Sequence, residues 1–154
     1  MVNGLWHFSF TVSDLDRSID FYCRLLGMQL RLCQDQNNEY TRKLVAYPDA
    51  NLRVAQISMP NLSIGPSGHV LELVQFLHPI LPPNPPGTGH PNSAHMAFTV
   101  EDIHAEYNRL LAAGVKFRSE PIPITAGVNK GGATVYFLDP DGVTLELLQP
   151  PPRP

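Results

Sequence analysis

The chain has 154 residues, 43% hydrophobic and 16% charged, with a net charge of −3; this suits one globular domain with a real core and argues against disorder. With no cluster of Lys and Arg, nucleic acid is not expected as a partner, and with no apolar run of about 18 residues neither is a membrane span. Two cysteines, Cys23 and Cys33, are too few for a disulfide framework and, with no basic start leading into an apolar stretch, point to a reduced, cytoplasmic protein.

In chain order, residues 5–12 alternate and are rich in Phe and Val, which predicts a strand. Asp14 is placed to cap a helix whose apolar positions Leu15, Ile19, Tyr22 and Leu26 recur at helical spacing up to a stop at Gly27. Strands are expected near 28–34, at 41–47 or 52–59 or both, and at 69–76. Residues 77–93, with six prolines between Leu77 and Asn92, read as a semi-rigid linker. Beyond it comes another strand from Ala94, then a helix from Asp102 to Ala113 that stops at Gly114. Strands are expected near 115–118, 133–138 and 143–149, the last two joined by the turn Asp139-Pro140-Asp141-Gly142. The Pro- and Gly-rich stretch from Glu120 to Gly132 is long for a connection and reads either as a lid or binding loop or as a disordered one.

This order contains a repeat. Trp6–Leu30 (WHFSFTVSDLDRSIDFYCRLLGMQL) and Ala94–Phe117 (AHMAFTVEDIHAEYNRLLAAGVKF) share a His, alternating residues, Phe-Thr-Val, an acidic turn, an amphipathic stretch and a Gly. The offset is 88 at the His and 87 at the Gly, and HVLELVQF at 69–76 recurs as VTLELLQP at 143–150. Two matches in the same order imply two copies of one unit, over about 5–76 and 94–149. Each reads β-α-β-β-β, which makes the fold class α+β.

The repeat pairs His7 with His95 and Glu72 with Glu146. A period of two puts His7, Ser9 and Thr11 on one strand face and Trp6, Phe8 and Phe10 on the other. Glu72 and Glu146 sit among Leu and Val, where an unpaired carboxylate is costly. One divalent ion held by all four side chains removes that cost and leaves open positions for substrate oxygens or water. Two separate His–Glu ion pairs are the competing reading. His69, His78, His90 and His104 read as solvent-exposed, and the cysteines as packing residues, one on the first helix and one on the strand after it.

HFSFTVSDLDRSIDFYCRLLGMQL, HVLELVQF, AHMAFTVEDI and YFLDPDGVTLELLQ together resemble the vicinal oxygen chelate superfamily over about residues 5–149. That superfamily includes glyoxalase I, methylmalonyl-CoA epimerase, extradiol dioxygenases, and fosfomycin- and bleomycin-resistance proteins. The resemblance implies two βαβββ modules that form a curved open sheet around a metal site. It also implies one divalent ion (Ni, Co, Mn, Zn or Fe), a homodimer, and a small substrate with vicinal oxygens or an activated carbonyl. Bacterial-type glyoxalase I carries a His, Glu, His, Glu ligand set, which falls here on His7, Glu72, His95 and Glu146. The implied activity is that of a metal-dependent isomerase, epimerase or lyase. It moves a proton next to the bound carbonyl through an enolate or enediolate, with Glu146 or Glu72 as the base. Lys130 lies in a loop like the one that closes on anionic substrate. Thr11 stands where glyoxalase I places an arginine for the glutathione carboxylate, and Lys43 falls near the position of the epimerase's general base, with Glu39 close by. The alternatives are an Fe(II) or Mn(II) ring-cleaving dioxygenase using His7, His95 and Glu146, and a metal-free drug-binding protein.

Overall fold

The acidic residue after each Phe-Thr-Val ends a strand and starts a helix. In the computed structural model, which describes residues 1–62, 65–83 and 87–152, Asp14 is extended at φ −144° and accepts from Arg17 N at 3.0 Å. Asp102, at φ −131°, accepts from His104 N and Ala105 N, each at 3.0 Å. Each carboxylate thus satisfies backbone donors that the first helical turn leaves without partners.

The chain divides into two compact units, Met1–Pro83 and Asn84–Pro154. In the first, β1 (His7–Thr11) leads into α1 (Leu15–Ile19), which continues as a π-helical turn over Asp20–Leu25. Then come β2 (Gln29–Gln36), α2 (Glu39–Val45), β3 (Asn51–Ser58) and β4 (Val70–His78). In the second, β5 (His95–Thr99) leads into α3 (Ile103–Ala112), followed by β6 (Ile122–Pro123), β7 (Ala133–Leu138) and β8 (Thr144–Gln149). Each unit builds a four-stranded sheet, ordered β1-β4-β3-β2 and β5-β8-β7-β6. The β1–β4 and β5–β8 pairs are parallel and the rest antiparallel. The fold class is therefore α+β, with the same mixed-sheet module twice.

One face of each sheet is sealed with apolar side chains. Leu15, Tyr22, Ile57, Leu71 and Leu73 are fully buried in the first unit, as are Ile103, Leu110, Phe137 and Leu145 in the second. Each contributes about 1.5–3 kcal/mol on burial. A glutamine three residues after each strand glutamate fastens the helix start to the sheet. Gln75 Oε1 accepts from Leu15 N at 3.2 Å while its amide donates to Ser13 O at 3.0 Å. Gln149 Oε1 accepts from Ile103 N at 2.9 Å. The strand that carries each Glu is thereby locked to the turn that follows the strand carrying its His.

Four details depart from the sequence reading. Residues 41–47 are not a strand: Glu39–Val45 is helical, capped by Asn38 accepting from Thr41 N at 2.9 Å and closed by Ala46 at φ 61°. The stretch 115–118 contributes only a bridge, Phe117 to Phe137, and the two-residue β6 falls inside the expected loop 120–132. Strand β4 runs two residues into the expected linker and ends at His78, whose Nε2 lies 2.6 Å from Asp49 Oδ2. Residues 84–86 of that linker lie outside the described residues. Cys33 is exposed on the edge strand β2 rather than packed. Among the described residues, no helix is long and apolar enough to cross a membrane.

Gly132 closes the 120–132 loop against β8. A Cβ there would collide with the Gln149 carbonyl oxygen and press on Asn129 O and Pro151 N, all rigid backbone. Gly132→Ala is expected to destabilise the protein by about 1–3 kcal/mol, as overpacking does, with a lower urea midpoint as the readout.

Candidate metal centre

Strand pairing decides which side chains share a face. In β1 and β4, Ser9 stands opposite Glu72 and His7 opposite Val70. His7 and Glu72 therefore lie on the same sheet face, away from buried Leu71 and Leu73. The second unit repeats this, with His95 opposite Thr144 and Ala97 opposite Glu146. His7 Nε2 is 3.5 Å from Glu72 Oε1, and His95 Nε2 is 3.4 Å from Glu146 Oε2. The carboxylates are largely covered, with side-chain exposures of 18% and 16%. Within each unit the structure thus brings together one His and one Glu of the four candidates. No third Asp, Glu, His or Cys joins either pair within its own unit among the described residues.

These separations are informative. They exceed the 2.7–3.2 Å of a good N–H···O bond. Two donors about 2.1 Å from one ion are roughly 3.0 Å apart at a right angle and roughly 3.4 Å at a tetrahedral angle. The spacing of imidazole and carboxylate in each unit is compatible with neighbouring ligands of one cation and equally with a long His–Glu ion pair. His7 Nδ1 is buried without a hydrogen-bond partner among the described residues, so the ring's tautomer is set by whatever meets Nε2. The donor set, imidazole with carboxylate, suits a borderline divalent ion.

The neighbours of the two carboxylates differ. Tyr136, directly across from Glu146, places its ring 5.3 Å from that of His95, and Thr134 Oγ1 donates to Glu146 Oε1 at 2.5 Å. Gln56, directly across from Glu72, brings its amide only to 3.5 Å from Glu72 Oε2. Glu146 is tied down and Glu72 is freer. None of these three neighbours stood out in the sequence. Tyr136 was reachable, since the Asp139–Gly142 turn fixes the hairpin register that sets it opposite Glu146.

The other sequence candidates are placed as follows. Thr11 is exposed at the end of β1, on the His7 face. Lys130 is exposed in the 120–132 loop, where its backbone N–H bonds Gly127 O at 3.2 Å. Lys43 and Glu39 pair with each other at 2.6 Å on the exposed surface of α2.

The model of one protein family, the Glyoxalase/Bleomycin resistance protein/Dioxygenase superfamily, matches residues 4–147. The chain belongs to this superfamily. Within it, a 2-epi-5-epi-valiolone epimerase from Actinomyces sp. is 35% identical over 94% of this chain and 78% of its own length. A probable lactoylglutathione lyase from Vibrio parahaemolyticus is 33% identical over 97% of this chain and 93% of its own. Among solved structures, a glyoxalase family protein from Bacillus cereus superposes with a TM-score of 0.82 over 99% of this chain and 97% of its own, at 19% identity. Glyoxalase I from Zea mays gives a TM-score of 0.67 at 25% identity over 98% of this chain and 46% of its own. The superfamily fold is thus shared along the whole chain, and its named relatives include both a lyase and an epimerase.

Proposed function

We propose that this protein is a metal-dependent lyase or epimerase of the glyoxalase type, which moves a proton on the carbon next to a substrate carbonyl. The observation that carries the reading is the repeated His–Glu pair, held in each unit at ligand-to-ligand spacing on the face opposite the apolar core. His7, Glu72, His95 and Glu146 would together hold one divalent ion, from one chain or from two copies of it. The chemistry such an ion would supply is Lewis-acid polarisation of the substrate carbonyl, which would acidify the neighbouring C–H. Glu72, the freer carboxylate, would take that proton and return it; Glu146, which accepts from the Thr134 hydroxyl, would stay in position. Tyr136 packs on His95 and keeps its ring oriented.

Elemental analysis of the purified protein is expected to give about one equivalent of divalent metal per His–Glu–His–Glu set. Proton NMR in D2O is expected to show metal-dependent deuterium incorporation into a hemithioacetal, a 2-oxo thioester or an α-acidic ketone. His7→Ala and Glu146→Ala are expected to lose the metal. A protein that binds none, or variants that bind it unchanged, would defeat the reading.

A further inference from the structure

The two copies of the repeat differ in one element. Between β2 and β3 the first unit inserts α2, whereas the matching connection of the second, between β6 and β7, holds no helix among the described residues. Strand register shows which sheet face α2 covers. Across β3 and β4, Gln56 stands opposite Glu72, Val54 opposite Val74 and Leu52 opposite Phe76. These rows alternate with Ala55–Leu73 and Arg53–Gln75, so all three lie on the face that carries the His7–Glu72 pair. The Val54 row is roughly 7 Å along the strands from Glu72, and the Leu52 row roughly 13 Å.

The helix packs on the two far rows. Val45 joins Val74 and Phe76 against a buried cluster of Ala50, Leu52 and Val54. Nearer the helix start, Thr41 is buried and its hydroxyl donates at 3.5 Å to Oε1 of Gln36, which stands on β2 opposite Leu52. So α2 crosses the strands from β2 to β4 instead of running along them. Seven helical residues span roughly 10 Å, which matches the two strand spacings that the crossing needs. Both ends of the segment are fixed. Asn38 accepts from Thr41 N at 2.9 Å at the start. Past the end, the Tyr47 ring meets that of Phe76 edge-on at 5.9 Å, and Asp49 Oδ2 lies 2.6 Å from His78 Nε2.

A helix lying across the strands on this face is a barrier. A molecule whose oxygens sit beside Glu72, and which extends along β3 and β4, meets the Val54–Val74 row and then α2. Val54 is already covered, at 3% exposed, and Val74 is half-buried. About one row, roughly 7 Å, is left between the carboxylate and the helix. That room takes a short chain or a single ring and no long tail. Swinging α2 aside would bring Leu52, Val54 and Phe76 into water, which the hydrophobic effect opposes.

We infer that α2 is a specificity-determining wall, which stops a substrate from extending along the first unit's sheet and so selects a body that is compact on that side. The inference rests on the metal reading above, and the test separates the two. Acetohydroxamic acid chelates a metal through two vicinal oxygens and ends in a methyl group; octanohydroxamic acid has the same chelating head and a long alkyl chain. Titrated calorimetrically into the metal-supplemented wild type, the two are expected to bind within about threefold of each other, because the long chain finds no open apolar floor. Val45→Ala and Tyr47→Ala open the wall towards Phe76. Each is expected to bind octanohydroxamate about tenfold tighter than the wild type, the gain from burying about two methylenes. Acetohydroxamate should stay within about twofold in both, which also shows that the variants are folded. Leu44→Ala, at a side chain on α2 that is 65% exposed, is expected to change neither affinity. The wall is overturned, and the metal centre left standing, by a wild type that binds octanohydroxamate about tenfold tighter than acetohydroxamate. No gain in either wall variant, an equal gain in Leu44→Ala, or loss of acetohydroxamate binding from both wall variants overturns it in the same way. Failure of acetohydroxamate to bind the metal-supplemented wild type removes the metal centre, and the inference with it.

Discussion

Glu72→Gln is expected to lower the rate of solvent-deuterium exchange by about 10²–10⁴-fold, the range in which positioned proton transfer contributes. The amide keeps the side chain's size and one carbonyl oxygen but cannot take a proton, and it removes a negative charge from the proposed cation site. Glu146→Gln is expected to lower the rate as well, by the weaker route of lost metal affinity. The two effects are separable by adding metal. Glu146 is held by the Thr134 hydroxyl at 2.5 Å, whereas the Gln56 amide stands 3.5 Å from Glu72. The rate of Glu146→Gln should therefore recover in part at saturating metal, and that of Glu72→Gln should not. Full recovery of both variants would reduce the two carboxylates to ligands and remove Glu72 from the proton transfer.

The largest effect on stability is expected at Phe137. Its side chain is fully buried and lies 5.6 Å, ring to ring, from Phe117, which in turn is 4.6 Å from Tyr107 on α3. This aromatic chain couples the middle of the second sheet to its helix. Phe137→Ala removes the ring at the sheet end of this chain and leaves a cavity that backbone strands on either side cannot close, a loss of about 3–5 kcal/mol. For a chain of this length that is a drop in melting temperature of roughly 10 °C, readable by thermal denaturation. Tyr40→Ala, at a side chain that is 68% exposed on α2, is expected to change stability by no more than about 0.5 kcal/mol. A comparable loss at both positions would mean that the ring cluster is not what holds α3 to the sheet.

Much of this architecture was legible because it is local and repeated. Asp14 and Asp102 announce helix starts through the donors that any first turn leaves open. The alternation at His7–Thr11 and at His95–Thr99 already assigns each imidazole to one strand face. Residues 41–47 misled because a seven-residue helix shows barely two turns of periodicity, and its apolar residues serve a β pattern equally well. The signal that would have corrected it was Asn38 followed by Glu39, a cap and an acidic first turn.

The sequence by itself determined that two copies of one α+β unit exist, and that each brings a histidine and a glutamate at matching positions. Propensity, capping and period-two alternation act over a few residues, so they can be read without the fold. Only the tertiary structure decided that His7 stands 3.5 Å from Glu72 and His95 3.4 Å from Glu146, since those partners are far apart in the chain and meet through parallel strand register. It likewise decided that the Thr134 hydroxyl reaches Glu146 and that Tyr136 stands across from it. Register, bulges and side-chain direction arise from the pairing of distant segments, and no window of sequence contains them.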